Sequence, residues 1–241
     1  MGCLHEGHLA LIRKAKTLSA RCVVSIFVNP LQFGPKEDLV NYPRPIEEDK
    51  KKLEAGGVDV LFLPTVEELY PNGFQTKVGV GSLADALCGE FRPGHFEGVA
   101  TVCLKLFNAS LADLAVFGKK DFQQLRILEQ MVGDLNAPVQ LIRHDTVREE
   151  DGLAMSSRNR YLSVEERPRA RAISQSLLHA RTVTLKSPDI TAGEILGPAR
   201  SEIEKAGLQI QYLSIASAQS LRPVLDANLK IHTLQEPRPV S

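Results

Sequence analysis

Apolar positions along the chain follow two alternating periods up to about residue 143. Leu11, Ile12, Ala15 and Leu18 recur at helical spacing with Arg13 and Lys14 turned away, which predicts an amphipathic helix over Leu9–Leu18. Cys22–Val28 is a nearly unbroken β-branched and apolar run, the pattern of a strand buried on both faces. A charged helix follows over Ile46–Ala55, stopped by Gly56 and Gly57, then a short buried strand over Val58–Leu63, closed by Pro64. Helices are predicted over Val99–Ser110 and Gln123–Asn136, and strands over Leu114–Phe117 and Val139–Ile142. Strands alternating with helices of this length imply βαβ units and a parallel sheet.

Beyond Ser163 the pattern changes. A long helix is predicted over Glu165–Leu185, a second over Ala192–Ala206, and a strand over Ile210–Ile215. The expected organisation is an α/β domain over residues 1–146 with a doubly wound parallel sheet, and a smaller α+β domain over 147–241. Ligands of open parallel sheets bind beyond the carboxyl ends of the strands, and the unusual residues fall there, after Val28, Phe117 and Ile142.

Composition narrows the function classes. Lys plus Arg and Asp plus Glu are 29 each, so no net field draws the protein to nucleic acid or to a membrane surface. No apolar run reaches the length of a membrane span. Cys3, Cys22, Cys88 and Cys103 show neither a C-x-x-C pair nor metal-site spacing, which fits a reducing, cytoplasmic compartment.

Two clusters carry candidate chemistry. His5-Glu6-Gly7-His8 stands where the first helix begins, and a helix start offers free N–H groups and a positive dipole end to an anion. Two imidazoles there can donate to phosphate oxygens; the plainer alternative is a pair of surface histidines beside a capped helix. H-x-x-H without further ligands at useful spacing is a poor zinc site. Met155-Ser156-Ser157-Arg158, in a loop opened by Gly152, offers hydroxyls and a guanidinium to a triphosphate; alone, it would read as a polar linker.

Together the clusters resemble the HIGH and KMSKS signatures of adenylate-forming nucleotidyltransferases. Phe27-Val28-Asn29-Pro30-Leu31-Gln32-Phe33, Tyr42-Pro43-Arg44, Tyr70-Pro71, Arg92-Pro93-Gly94-His95-Phe96, and Phe117-Gly118 with Lys120-Asp121-Phe122-Gln123-Gln124 make the likeness specific. The chain resembles the AMP-forming pantoate–β-alanine ligases, in order, from Met1 to about Leu162. That resemblance implies a Rossmann-like fold and a two-step reaction. Pantoate carboxylate attacks the α-phosphorus of ATP and releases pyrophosphate; the amine of β-alanine then attacks the pantoyl adenylate and releases AMP.

By the same resemblance His5 and His8 meet the ATP phosphates, the second histidine with an acid role, beside catalytic Lys120 and Arg158. Met1, Gly2, Cys3, Leu4, Glu6, Gly7, Gly118, Lys119, Asp121, Val147, Met155, Ser156 and Ser157 complete the nucleotide site. Gln32 and Gln124 take pantoate, with Asn29 and His95 as neighbours. Glu48 and Asp49 fall where an acidic pair associated with Mg²⁺ is expected, although a charged helix face is the plainer reading. A homodimer is also implied. His144, His179 and His232 match no motif and read as surface or packing residues.

Three departures shape the expectation. Lys119 stands where the family usually carries Glu. The chain opens at the methionine of the family's Thr-Met-Gly, which predicts that a central strand is absent and that the chain is truncated. Residues 222–241 read as a tail that matches the family poorly. An alternative therefore accompanies the ligase: a truncated relative that binds nucleotide without turnover.

Overall fold

The first apolar stripe forms helix α1, Glu6–Leu18, with Ile12 buried. After it come strand β1 (Val23–Ser25), helix α2 (Ile46–Ala55), strand β2 (Val60–Phe62) and two single-turn helices, α3 (Val66–Leu69) and α4 (Cys88–Phe91). Next are α5 (His95–Ser110), β3 (Leu114–Gly118), α6 (Phe122–Asp134), β4 (Gln140–His144), α7 (Glu166–Lys186) and α8 (Ala192–Lys205). This computed structural model describes residues 2–35, 37–187 and 189–224; Met1 and His232 lie outside them, as does most of the expected tail.

By contacts the chain divides into one unit of Met1–Arg148 with Ala154–Ser157 and another of Glu149–Leu153 with Arg158–Ser241. In the first unit β1 runs parallel to β2, with Val24 opposite Leu61, and β3 runs parallel to β4, with Val116 opposite Ile142. The alternation of strand and helix thus produces the expected parallel α/β arrangement. Among the described residues the strands form two pairs, not one continuous sheet.

Cys22–Val28 and Val58–Leu63 are not buried on both faces as predicted. Val23 and Val60 are partners in register and lie 44% and 52% exposed on one face. Val24 and Leu61, one residue on, point the other way and pack against Leu4, Ile12, Cys22, Ile26 and Leu53. A second cluster of Val99, Ala100, Leu128 and Met131 joins α5 to α6. Near it α5 comes down on the turn Pro30–Gln32, and only a glycine allows the approach. A β-carbon on Gly98 would stand 2.3 Å from the Leu31 carbonyl oxygen.

In the second unit α7 packs along α8, which buries Ala172 on one and Ala192, Ile195, Ala199 and Ile203 on the other. A capping box between Thr191 and Glu194 starts α8. The strand predicted over Ile210–Ile215 does not form among the described residues. The chain turns just beyond it, with Ala216 bridging Pro223 and the Val224 N–H donating to the Ile215 carbonyl at 2.7 Å. A β-prone run without a partner strand gains nothing from its propensity.

Candidate active site

Helix α1 starts on a histidine, where Ser, Thr or Asp is the usual cap. His5 has extended backbone, and its Nδ1 accepts from the Gly7 N–H at 3.1 Å; the His5 N–H in turn donates to Nδ1 of His8 at 3.2 Å. With both Nδ1 atoms accepting, the proton of each neutral ring sits on Nε2. Two Nε2–H donors are thereby fixed on rings 4.0 Å apart, at the positive end of α1. Burial first, and then the neighbouring His5, push the His8 pKa down to about 3, with Lys120 pressing the same way. His8 is therefore a neutral donor.

The Met155 loop reaches the same place. Arg148 and Ala154 form an antiparallel bridge, and the Met155 N–H donates to the Val147 carbonyl at 3.0 Å. The Met155 β-carbon lies 3.5 Å from where a β-carbon on Gly7 would stand. Ser157 Oγ and the Tyr42 hydroxyl share a hydrogen bond of 3.1 Å. Val147, Met155 and Ser157 thus belong to one unit with the histidine turn, as does Ser156; Arg158 is exposed and groups with the second unit. Lys119 pairs with Asp145 at 2.9 Å, and Lys120 lies 3.8 Å from Asp121, both just past Gly118 at the carboxyl end of β3.

The proposed acid pocket is a network around Gln32. Asn29 is 1% exposed; its Oδ1 accepts from the Leu31 N–H and the Tyr70 hydroxyl, and its Nδ2 donates to the Gly98 carbonyl at 3.0 Å. Those partners fix the orientation of the amide, so Nδ2 also donates to Gln32 Oε1 at 3.2 Å. From the other side His95 Nδ1 lies 2.7 Å from the Gln32 carbonyl oxygen. Arg92 holds His95 at 3.0 Å and grips Glu37 through two bonds of 2.7 and 2.5 Å. Burial lowers the pKa of His95; the Arg92 guanidinium holds Glu37 below the usual carboxylate range. Gln124 is half-buried on α6, whereas adjacent Gln123 is spent on Leu83, Ala86 and Cys88.

Glu48 and Asp49 do not sit side by side: Glu48 is exposed and Asp49 fully buried. The two Asp49 oxygens accept from the N–H groups of Cys3 and Leu4, each at 2.7 Å, and Gly2 lies against the same carboxylate. Cys3 and Leu4 are buried, while Glu6 is exposed and pairs with Arg13. Among the described residues no group of three or more His, Cys, Asp or Glu could hold a metal ion. Sequence reasoning missed the roles of Tyr42, Tyr70, Glu37, Arg92 and Lys52. Tyr42, Tyr70 and Arg92 stand in the Tyr-Pro and Arg-Pro motifs, and the spacing of Asp49 and Lys52 on one helix face is a signal that could have found Lys52.

A family model for pantoate–β-alanine ligase matches residues 1–236. The match runs beyond residue 222, so most of the segment expected to match poorly lies within the family's pattern. Pantothenate synthetase from Desulfotalea psychrophila is 48% identical over 227 residues, covering 92% of this chain and 79% of the relative. The crystal structure of pantothenate synthetase from Thermus thermophilus superposes with a TM-score of 0.90 at 46% identity, covering 94% of this chain and 82% of that one. The pantoate–β-alanine ligase from Francisella tularensis, solved in complex with β,γ-ATP and β-alanine, gives 0.78 at 34% identity, covering 90% and 79%.

Proposed function

This chain belongs to the pantoate–β-alanine ligase family, and from that premise we propose how its residues carry out the ATP-dependent condensation of pantoate with β-alanine. The triphosphate lies at the start of α1, where His5 and His8 donate through Nε2 to phosphate oxygens. Preorganised donors act where negative charge builds as pyrophosphate departs. His8, neutral before the ligand arrives, meets the phosphate as a hydrogen-bond donor. Lys120 adds a positive charge near His8; Ser156 and Ser157 complete the phosphate contacts, and Asp121 and Val147 lie beside the nucleoside.

Gln32 and Gln124 orient pantoate so that its carboxylate meets the α-phosphorus in line, making the step effectively unimolecular. The Asn29 network supports this role because it leaves Gln32 with a fixed amide. Mg²⁺ enters as the companion of the triphosphate. A homodimer acting in the cytoplasm completes the proposal.

The observation that carries it is the pair of Nδ1 acceptors, which turns both imidazoles into Nε2–H donors at one helix end. A nucleotide binder without turnover is not favoured, since the acid-pocket network accompanies the phosphate donors. Pyrophosphate release from ATP should depend on pantoate, and AMP and pantothenate should appear when β-alanine is added. Nucleotide binding with no pantoate-dependent release would overturn the proposal.

A further inference from the structure

Asp49 is the fully buried carboxylate of the first unit, and its surroundings are unlike those of a metal ligand. Gly2 and Cys3 both have left-handed backbone, φ 84° and 52°, and such a turn directs successive N–H groups into one concavity. That concavity holds the Asp49 carboxylate, with the Cys3 N–H on one oxygen and the Leu4 N–H on the other. For Cys3 a left-handed conformation is costly, and a charge-assisted hydrogen bond on its own N–H offsets the cost. One turn along α2, Lys52 Nζ donates to the Leu4 carbonyl at 2.7 Å. Both backbone polar groups of Leu4 are therefore held from α2, immediately before the residue that caps α1. A cation already stands on this face, both carboxylate oxygens are engaged, and the partner expected of Asp49, Glu48, points to solvent. The pair does not fit Mg²⁺.

We infer that Asp49 and Lys52 are positioning residues that hold the Gly2–Leu4 turn so that His5 and His8 present their donors, and that Asp49 is not a metal ligand. The inference rests on the proposal that the triphosphate meets this end of α1. Asp49→Asn keeps the shape but replaces one acceptor oxygen with an amide NH₂, a donor facing an N–H.

The test is calorimetric binding of α,β-methylene-ATP to the full chain, with Mg²⁺ and with EDTA. Positioning predicts that Asp49→Asn weakens binding at least tenfold in both conditions, so the increment due to Mg²⁺ is kept. Lys52→Met should weaken it less, in the same pattern. Loss of the Mg²⁺ increment with unchanged or tighter metal-free binding would overturn the inference, and so would a variant indistinguishable from wild type. A wild-type chain that fails to bind the analogue at all would instead sink the nucleotide-site proposal. Should Asp49→Asn fail to fold, Mn²⁺ titration of the wild-type chain without nucleotide, read by electron paramagnetic resonance, decides. No specific Mn²⁺ site is expected, and a specific one broadened by a probe at this turn would overturn the assignment.

Discussion

Gly98 on α5 touches the backbone of Leu31 so closely that a β-carbon has no room, standing 2.3 Å from the carbonyl oxygen. The obstacle is backbone, which cannot swing aside as a side chain can. Gly98→Ala should therefore force α5 away from the turn that carries Asn29 and Gln32. Overpacking of this kind costs about 1–3 kcal/mol, and the upper end is expected here. Urea unfolding should show that loss. Steady-state kinetics should show the KM for pantoate rising about tenfold or more, on the same free-energy scale, with the KM for ATP little changed.

His8 ties acid stability to the start of α1. Its folded pKa of about 3 lies below the ordinary 6.5, so between those values the unfolded chain binds more protons. Stability is fully present above pH 6.5 and drains as pH falls toward 3. The slope from one such group is at most about 1.4 kcal/mol per pH unit. His8→Gln should flatten that limb in urea midpoints taken from pH 4 to 7. At neutral pH the same variant should lose about 10²–10³ in kcat, the scale for one preorganised donor, while its melting temperature stays near that of the parent. Equal losses of turnover and stability would argue that the ring is only structural.

How much of this was legible in the sequence follows from the range of the interactions. The helix over Ile46–Ala55 could be read because its stop, Gly56-Gly57, and its acidic first turn are local. That His5 and His8 stand together could be read because residues three apart in a first turn are neighbours in space. Their tautomers could not, since these depend on which N–H reaches which Nδ1. Glu48 and Asp49 read as an acidic pair only through the family resemblance; adjacent positions on a helix face different ways, and one is exposed while the other is buried. The failed strand over Ile210–Ile215 shows the same limit from the other side, for a strand is defined by a partner that its own sequence does not name.

The grip of Arg92 on Glu37 predicts a second pH-dependent element. Glu37 is held below its ordinary 4.5 chiefly by hydrogen bonds from the guanidinium, so its contribution is present above that pH and lost as pH falls below it. Both side chains are about one quarter exposed, 27% and 25%, so screening is partial. Arg92→Gln should cost about 1–2 kcal/mol at pH 7, the lower end of the scale for hydrogen bonds to charged groups once partial screening is counted. The difference from the parent should shrink toward pH 3. Arg92→Lys should not restore it, because an ammonium cannot reproduce the two parallel bonds. Full rescue by lysine in paired urea titrations would contradict the bidentate account.

Lys119 puts a cation beside Lys120, but its ammonium is turned to Asp145 at the ends of β3 and β4. Asp145 is 86% exposed, and exposed pairs are worth about 0–1 kcal/mol. Lys119→Glu should therefore lower stability by less than about 1 kcal/mol and leave kcat within about twofold. A large loss of turnover at unchanged stability would instead place the Lys119 charge in the reaction itself.

Asn29 offers the sharpest separation of shape from hydrogen-bond polarity. Its Nδ2 donates to two oxygens, the Gly98 carbonyl and Gln32 Oε1. Asn29→Asp has nearly the same shape but, when ionised, sets an acceptor against both. Burial raises the pKa of a carboxyl group placed there, and once protonated it can donate again. At pH 7.5 kcat/KM for pantoate should fall at least about tenfold relative to the parent, the scale for one lost buried donor. That ratio should recover as pH is lowered toward 5.5, because one of the two donations returns. Asn29→Ala has no donor at any pH and should show a flat ratio. Parallel profiles for the two variants would mean that the donor polarity of Asn29 does not set Gln32 for the acid.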